Sequence, residues 1–253
     1  MTGYNKARSH TKLGDKQMDY TITEGATFPL VNLTLAQNET VQIESGSMVY
    51  HDGRVSLEGS MNSNGKKGFG GLMSAIGRSV TSGESFFITR AIGQANGVQL
   101  AIAPKTPGAI KAIQLDSAHQ WRLNTGAFLA GSDGTTYSMT RQKIGGAIFG
   151  GTGGLFVMET AGAGEMLINA YGDIQLLHVT PGAPLVVDND HVIAWSSTLD
   201  YEIKPASGLV GFTTGEGLVN AFTGTGDVYI QTRNLRGLAE LLKPMMPSGG
   251  SSN

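Results

Sequence analysis

Apolar and polar residues alternate with a period of two along most of this chain. Leu33-Thr34-Leu35, Val41-Gln42-Ile43, Ile113-Gln114-Leu115, Trp121-Arg122-Leu123 and Val228 to Thr232 all follow that pattern. Successive side chains of a strand point to opposite faces, so the alternation marks sheets with one buried face. Turn dipeptides punctuate the runs at Asp52-Gly53, Pro107-Gly108, Asp133-Gly134 and Pro181-Gly182. Two stretches have helical spacing instead. Gly71 to Val80 suffices for two turns. Asn234 to Met246 has a capping Asn234, an apolar stripe of Leu235, Leu238, Leu241 and Leu242, and Pro244 near its end. The pattern predicts an all-β chain closed by a short C-terminal helix.

Three windows align without a gap: 33–50 (LTLAQNETVQIESGSMVY), 113–130 (IQLDSAHQWRLNTGAFLA) and 177–194 (LHVTPGAPLVVDNDHVIA). Leu33, Ile113 and Leu177 correspond, as do Val41, Trp121 and Leu185, then Met48, Phe128 and Val192. Gly46, Gly126 and Asp190 share one turn position. The offsets are 80 and 64 residues. Gly83-Glu84, Gly164-Glu165 and Gly226-Asp227 each precede a strand-like run, with offsets of 81 and 62. Self-similarity at such spacing is the signature of stacked repeats. The expected organisation is a polar arm over 1–18, one triplicated β domain over 19–233 with repeats of about 28–103, 104–172 and 173–233, the helix over 234–246, and a frayed tail over 247–253.

Composition narrows the chemistry. The chain has 253 residues, 37 of them glycine, and this density among Val, Ile, Leu and Thr suits many turns between short strands. The formal charge is −2 at pH 7, with no basic stripe, so no nucleic-acid partner is expected. Cysteine is absent, which excludes disulfides, thiolate metal sites and a cysteine nucleophile, and fits a cytoplasmic location. The N-terminal arm has basic residues without an apolar stretch after them, unlike a secretory signal.

The glycine-rich stretch 145–158, GGAIFGGTGGLFVM, invites a phosphate-loop reading and fails it. It has no lysine at its end and no third glycine of a dinucleotide fingerprint. Gly71-Leu72, Gly154-Leu155 and Gly217-Leu218 mark it as the same connection used three times. It is also too short and too poor in leucine to span a bilayer, for which about 20 apolar residues are needed. Peripheral contact through GFGGLM (68–73) or AIFGG (147–151) stays open beside a buried or subunit-facing role.

No catalytic or cofactor-binding pattern emerges, and no metal or other cofactor is expected. The candidate functional positions are Glu84, Glu165, Asp227, His119, His191 and Trp195. The three acids either converge on one shared space, as a carboxylate cluster would, or each bonds its own turn. No His pair has ligand spacing, so His119 and His191 serve a metal only if distant segments converge. Trp121, Trp195, Tyr171 and Tyr201 are candidate contacts for a small ligand, Trp121 having core packing as its simpler explanation.

The strings ESGSMVYHDG, SGESFFITR, TAGAGEMLINAYGDI, TPGAPLVVDNDHVIAW and GEGLVNAFTGTGDVYIQTR resemble the bacterial family of uncharacterised proteins related to the yeast altered-inheritance-of-mitochondria protein 24. The resemblance covers roughly residues 19–236. It implies β-sandwich or β-helix-like repeats of the tryptophan RNA-binding attenuator protein-like kind, and trimeric assembly. The RNA binding of the attenuator protein does not carry over, because the lysines it needs are missing from these repeats. No catalytic residue transfers. A non-enzymatic scaffold or binding module follows, with a protein partner or a membrane surface as its target. A small-ligand-binding protein and a cupin-like metal enzyme are the rival readings.

Overall fold

In a computed structural model, the residues described are 17–23, 27–61, 87–124, 126–141, 156–206 and 217–246. The alternating runs are strands. After β1 (Tyr20–Ile22), a first set comprises β2 (Val31–Leu35), β3 (Thr40–Glu44), β4 (Met48–His51), β5 (Val55–Met61), β6 (Phe87–Gly93) and β7 (Val98–Ile102). The second set is β8 (Ile110–Leu115), β9 (Trp121–Asn124), β10 (Phe128–Ser132), β11 (Thr135–Arg141), β12 (Phe156–Gly162) and β13 (Gly164–Asn169). The third is β14 (Ile174–Val179), β15 (Leu185–Asp188), β16 (Val192–Ser196), β17 (Asp200–Pro205), β18 (Leu218–Thr223) and β19 (Gly226–Gln231). Helix α1 (Leu235–Leu242) follows, with the Asn234 side chain accepting from the Gly237 N–H as its cap. The other expected helix, residues 71–80, lies outside the described residues.

The order of pairing recurs in each set. The sheets run β1-β2-β7-β4, then β5-β6-β3-β10-β13-β8, then β11-β12-β9-β16-β19-β14, then β15-β18-β17, with every strand pair antiparallel. Each set thus splits into two three-stranded halves. The second half of one set joins edge to edge with the first half of the next, at β3·β10 and again at β9·β16.

Three apolar cores lie between these four sheets. One holds Leu33, Val41, Ile43, Leu100, Leu129 and Leu167; the next Leu115, Trp121, Leu123, Phe128, Met166 and Ile193; the last Val179, Val192, Trp195, Phe222 and Val228. The two middle sheets are therefore buried on both faces, which is why β10 reads Phe-Leu-Ala-Gly-Ser with no exposed position. A bulge recurs on the third strand of each set. The register slips between Met48 and Tyr50, between Phe128 and Ala130, and between Val192 and Ala194, the same place in all three sets. The extra residue turns Leu129 and Ala130 to the same side, the first core, and Ile193 and Ala194 to the second, while Phe128 and Val192 point to the opposite side by ordinary alternation.

The shared turn position before each bulge is met in two ways. Gly46 and Gly126 adopt φ of 84° and 90°, the left-handed region open to glycine, whereas Asp190 sits in a 3-10 turn over Asn189–His191.

Candidate functional site

Where two successive sets join, an open cleft forms beside the strand joint. The cleft at β3·β10 is lined by Gln17, Glu39, Thr40, Ser132 and Asp133 and has a volume of about 340 Å³. Its counterpart at β9·β16, about 410 Å³, is lined by His119, Gln120, Trp121, His178, Ser196 and Asp227.

The recurring acids belong to these junctions, one to each. Glu165 stands directly opposite Gln114 on β8, and Asp227 opposite His178 on β14. The backbone N–H of Glu165 donates to Ser132 Oγ at 3.1 Å, and that of Asp227 to Ser196 Oγ at 3.0 Å. Strand pairing gives the first-set counterpart. Leu33 faces Leu100, Ile113 faces Met166 and Leu177 faces Val228, so Gln99, Glu165 and Asp227 are equivalent. The Gln99 N–H donates to Asp52 Oδ2 at 3.1 Å, completing the series. Glu165 and Asp227 therefore lie at separate junctions, and an amide, Gln99, holds the equivalent place in the first set. Glu84 itself lies outside the described residues. Its GESFF string precedes β6, whose counterparts are β12 and β18, whereas Glu165 lies on β13.

Glu165 is the most buried of these groups, 3 % exposed. Its Oε1 accepts from Tyr20 Oη at 3.1 Å and from Gln114 Nε2 at 3.2 Å. Burial pushes its carboxyl above the ordinary range, against the downward pull of hydrogen bonds from Tyr20, Gln17, Gln114 and the Met18 backbone. Burial and the neighbouring carboxylate push the Tyr20 phenol up in turn. Chemically this is an anchor: it fastens β1 across the first junction.

At the second junction the groups are wetter. His178 Nδ1 meets Asp227 Oδ1 at 2.6 Å, and His119 Nδ1 meets Asp116 Oδ2 at 2.9 Å, all on exposed side chains. The His119 ring holds the Asp116 carboxyl below its usual range. His119 and Asp227 thus share a cleft, but each already has its partner. Among the described residues no three His, Asp or Glu side chains gather as a metal site would require.

His191 is elsewhere. Its Nδ1 bonds the Gln231 carbonyl at 2.7 Å, and its Nε2 accepts from Asn234 Nδ2 at 2.7 Å. Both ring nitrogens are used to tie the cap of α1 to β19. Arg236 strengthens that attachment through Asp190 at 3.0 Å.

This chain matches the family described as mitochondrial biogenesis AIM24 over residues 20–233. It belongs to the AIM24 family. An uncharacterised protein of Streptococcus pyogenes serotype M6 is 46 % identical to it over 244 residues, 96 % of each chain. The X-ray crystal structure of another Streptococcus pyogenes protein superposes with a TM-score of 0.74 at 44 % identity, covering 90 % of this chain and all of that one.

In this AIM24-family chain Trp195 is a core residue, fully buried, edge-on to Tyr201 at 4.9 Å and 5.7 Å from Phe222. Trp121 is also buried, its Nε1 donating to the Gln114 carbonyl, and lies tilted against Tyr229 with ring centres 5.3 Å apart. Trp195 is shut off from solvent, while Trp121 borders the second cleft. The glycine loops 68–73 and 145–155 lie outside the described residues. No helix among the described residues is long and apolar enough to cross a membrane.

Two features went unread in the sequence. Arg122 clamps the second junction, bonding the Ser197 and Leu199 carbonyls. The edge strand β4 leaves Met48, Val49 and Tyr50 exposed, although Phe128, Leu129 and Ala130 at the aligned positions are buried. Among the described residues no further strand lies beyond that edge.

Proposed function

We propose that this protein is a non-enzymatic β scaffold that assembles with copies of itself, as a homotrimer, and acts by binding other proteins. One observation carries the reading. Each polar group with catalytic potential already has a structural partner, Glu165 at the first junction, His119 and Asp227 in the second cleft and His191 at the cap of α1, while the molecule exposes apolar side chains at β4 and along α1. A catalytic site brings acid, base and nucleophile together in one cleft; a scaffold keeps its polar groups structural and its outer surfaces adhesive.

Native mass spectrometry on untagged protein, with metal analysis and denaturing extraction, tests it. A trimer without stoichiometric metal or small molecule is the expected result. A bound metal or metabolite in the second cleft, lost on His119→Ala or Asp227→Ala, would replace the scaffold with the ligand-binding reading.

A further inference from the structure

The two ends of the sheet stack are the two halves of one missing joint. Within the chain, a joint always pairs the second strand of one set with the third strand of the next, β3 with β10 and β9 with β16. That rule leaves two strands over: β15, second in the last set, and β4, third in the first set. Each ends its sheet, and no described strand pairs with its outer edge.

We infer that β15 of one copy pairs with β4 of the next, so that the chains assemble head to tail through a third joint of the same design. The internal joints supply the register. Gln42 faces Gly131 and Arg122 faces Trp195, which places Val186 opposite His51. Ile43 faces Ala130 and Leu123 faces Ala194, which places Val187 opposite Tyr50. The result is a seven-stranded sheet, β17-β18-β15 continued by β4-β7-β2-β1, built like the two internal six-stranded sheets.

Burial supports the same assignment. Leu129 and Ile193 are 0 % and 2 % exposed because each crosses its joint into the core of the preceding set. Val49 holds that position in the first set and is 54 % exposed, with Tyr50 beside it at 50 %. Across the joint Val186 is 57 % exposed on β15. The backbone is also ready. The Asp52 N–H turns inward to the Gln99 carbonyl, so alternation turns the His51 N–H and carbonyl to the open side. One difference separates this joint from the internal ones. Gln42 Nε2 donates to the Thr135 carbonyl and Arg122 Nη1 to the Leu199 carbonyl, whereas Val186 has no donor. The joint between copies rests on the backbone ladder and apolar contact, which makes it the weakest of the series.

A head-to-tail contact uses two different surfaces, so it closes into a ring or continues as a filament and does not stop at a two-fold dimer. The inference rests on the self-assembling reading above and is tested apart from it. The chain has no cysteine, so single thiols report without background. Tyr50→Cys and Val187→Cys occupy a narrow pair with Cβ atoms about 4.5–5.5 Å apart, near disulfide range. Mixed and mildly oxidised, the two variants are expected to give at least about tenfold more cross-linked dimer than either alone, the order of selectivity that a sequence-defined register imposes. His51→Pro removes an outward N–H, which an edge strand tolerates, and the imidazole that accepts from the Gly53 N–H, a loss that His51→Ala reproduces alone as the control. The proline variant is expected to dissociate the assembly while the circular dichroism spectrum and melting of the chain persist.

Tyr50→Cys cross-linking to itself would overturn the joint, as would an intrachain bond in the double variant at monomer mass. An assembly that survives His51→Pro and gives no mixed cross-link would overturn the joint and leave the scaffold reading standing. A wild-type monomer by native mass spectrometry at micromolar concentration would overturn both.

Discussion

Replacing Arg122 with methionine probes the second junction at a residue that no sequence motif singles out. The guanidinium donates through Nη1 to two carbonyls, Ser197 and Leu199, both at 3.1 Å, and through Nε to Glu159 Oε1 at 3.1 Å. Its Cζ lies 5.5 Å from the centre of the Tyr201 ring. The side chain is 24 % exposed, so solvent screens these interactions only partly. Each charged carbonyl bond is worth about 1–1.5 kcal/mol in that setting, the ring contact about 0.5–1 kcal/mol, and the half-exposed ion pair with Glu159 about 0–1 kcal/mol. Methionine recovers about 0.5–1 kcal/mol by keeping the apolar stem covered. The expected loss is about 3 kcal/mol, or about 6–12 °C in Tm for a chain of this size. Urea unfolding at fixed protein concentration, followed by tryptophan fluorescence, measures it, because Trp195 contacts Tyr201 directly. Arg122→Lys should recover less than half, since an ammonium cannot fork between two carbonyls and a carboxylate. A loss below about 1 kcal/mol, or full rescue by lysine, would refute the clamp. The Tyr201 phenol supplies a second readout. Burial raises it and Arg122 lowers it, so in the methionine variant it should titrate at still higher pH.

Three further predictions follow from the junctions. Glu165 is held above its ordinary value of 4.5, so the folded chain keeps this proton to higher pH than the unfolded one. Stability from this group is complete below 4.5 and falls as pH rises through the raised value; Glu165→Gln should therefore gain on the wild type as pH rises above 4.5, and parallel melting curves at every pH would refute this. Ser132→Ala strands the buried Glu165 N–H and should cost about 1–3 kcal/mol by denaturant titration, with the more exposed Ser196→Ala costing less. Gly108→Ala puts a Cβ 2.2 Å from the Ala170 carbonyl oxygen and 2.5 Å from Gly172 N, at a bridge that ties the lead-in of β8 to the segment after β13. Overpacking of that kind should cost about 1–3 kcal/mol in the same titration, and an unchanged midpoint would show that the two backbones separate freely.

The sequence by itself determined the all-β character of the chain and its capped C-terminal helix. Those features rest on local physics: alternation is written residue by residue, glycine is needed where φ turns positive, and Asn234 caps the turn that follows it. The tertiary structure decided where the halves of each repeat go. Half of each set pairs with the neighbouring set, so Phe128 packs in the second core and Leu129 and Ala130 together in the first. Alternation alone does not carry that, because a bulge puts Leu129 and Ala130 on the same face. The same holds for the acids. Spacing leaves a shared cluster and separate turns equally open for the acids, whereas pairing puts Gln99 in the equivalent place of the first set and Glu165 and Asp227 at separate junctions. Sequence spacing measures distance along the chain, whereas a strand's partner is chosen by which edge is left unpaired when its own hairpin has formed.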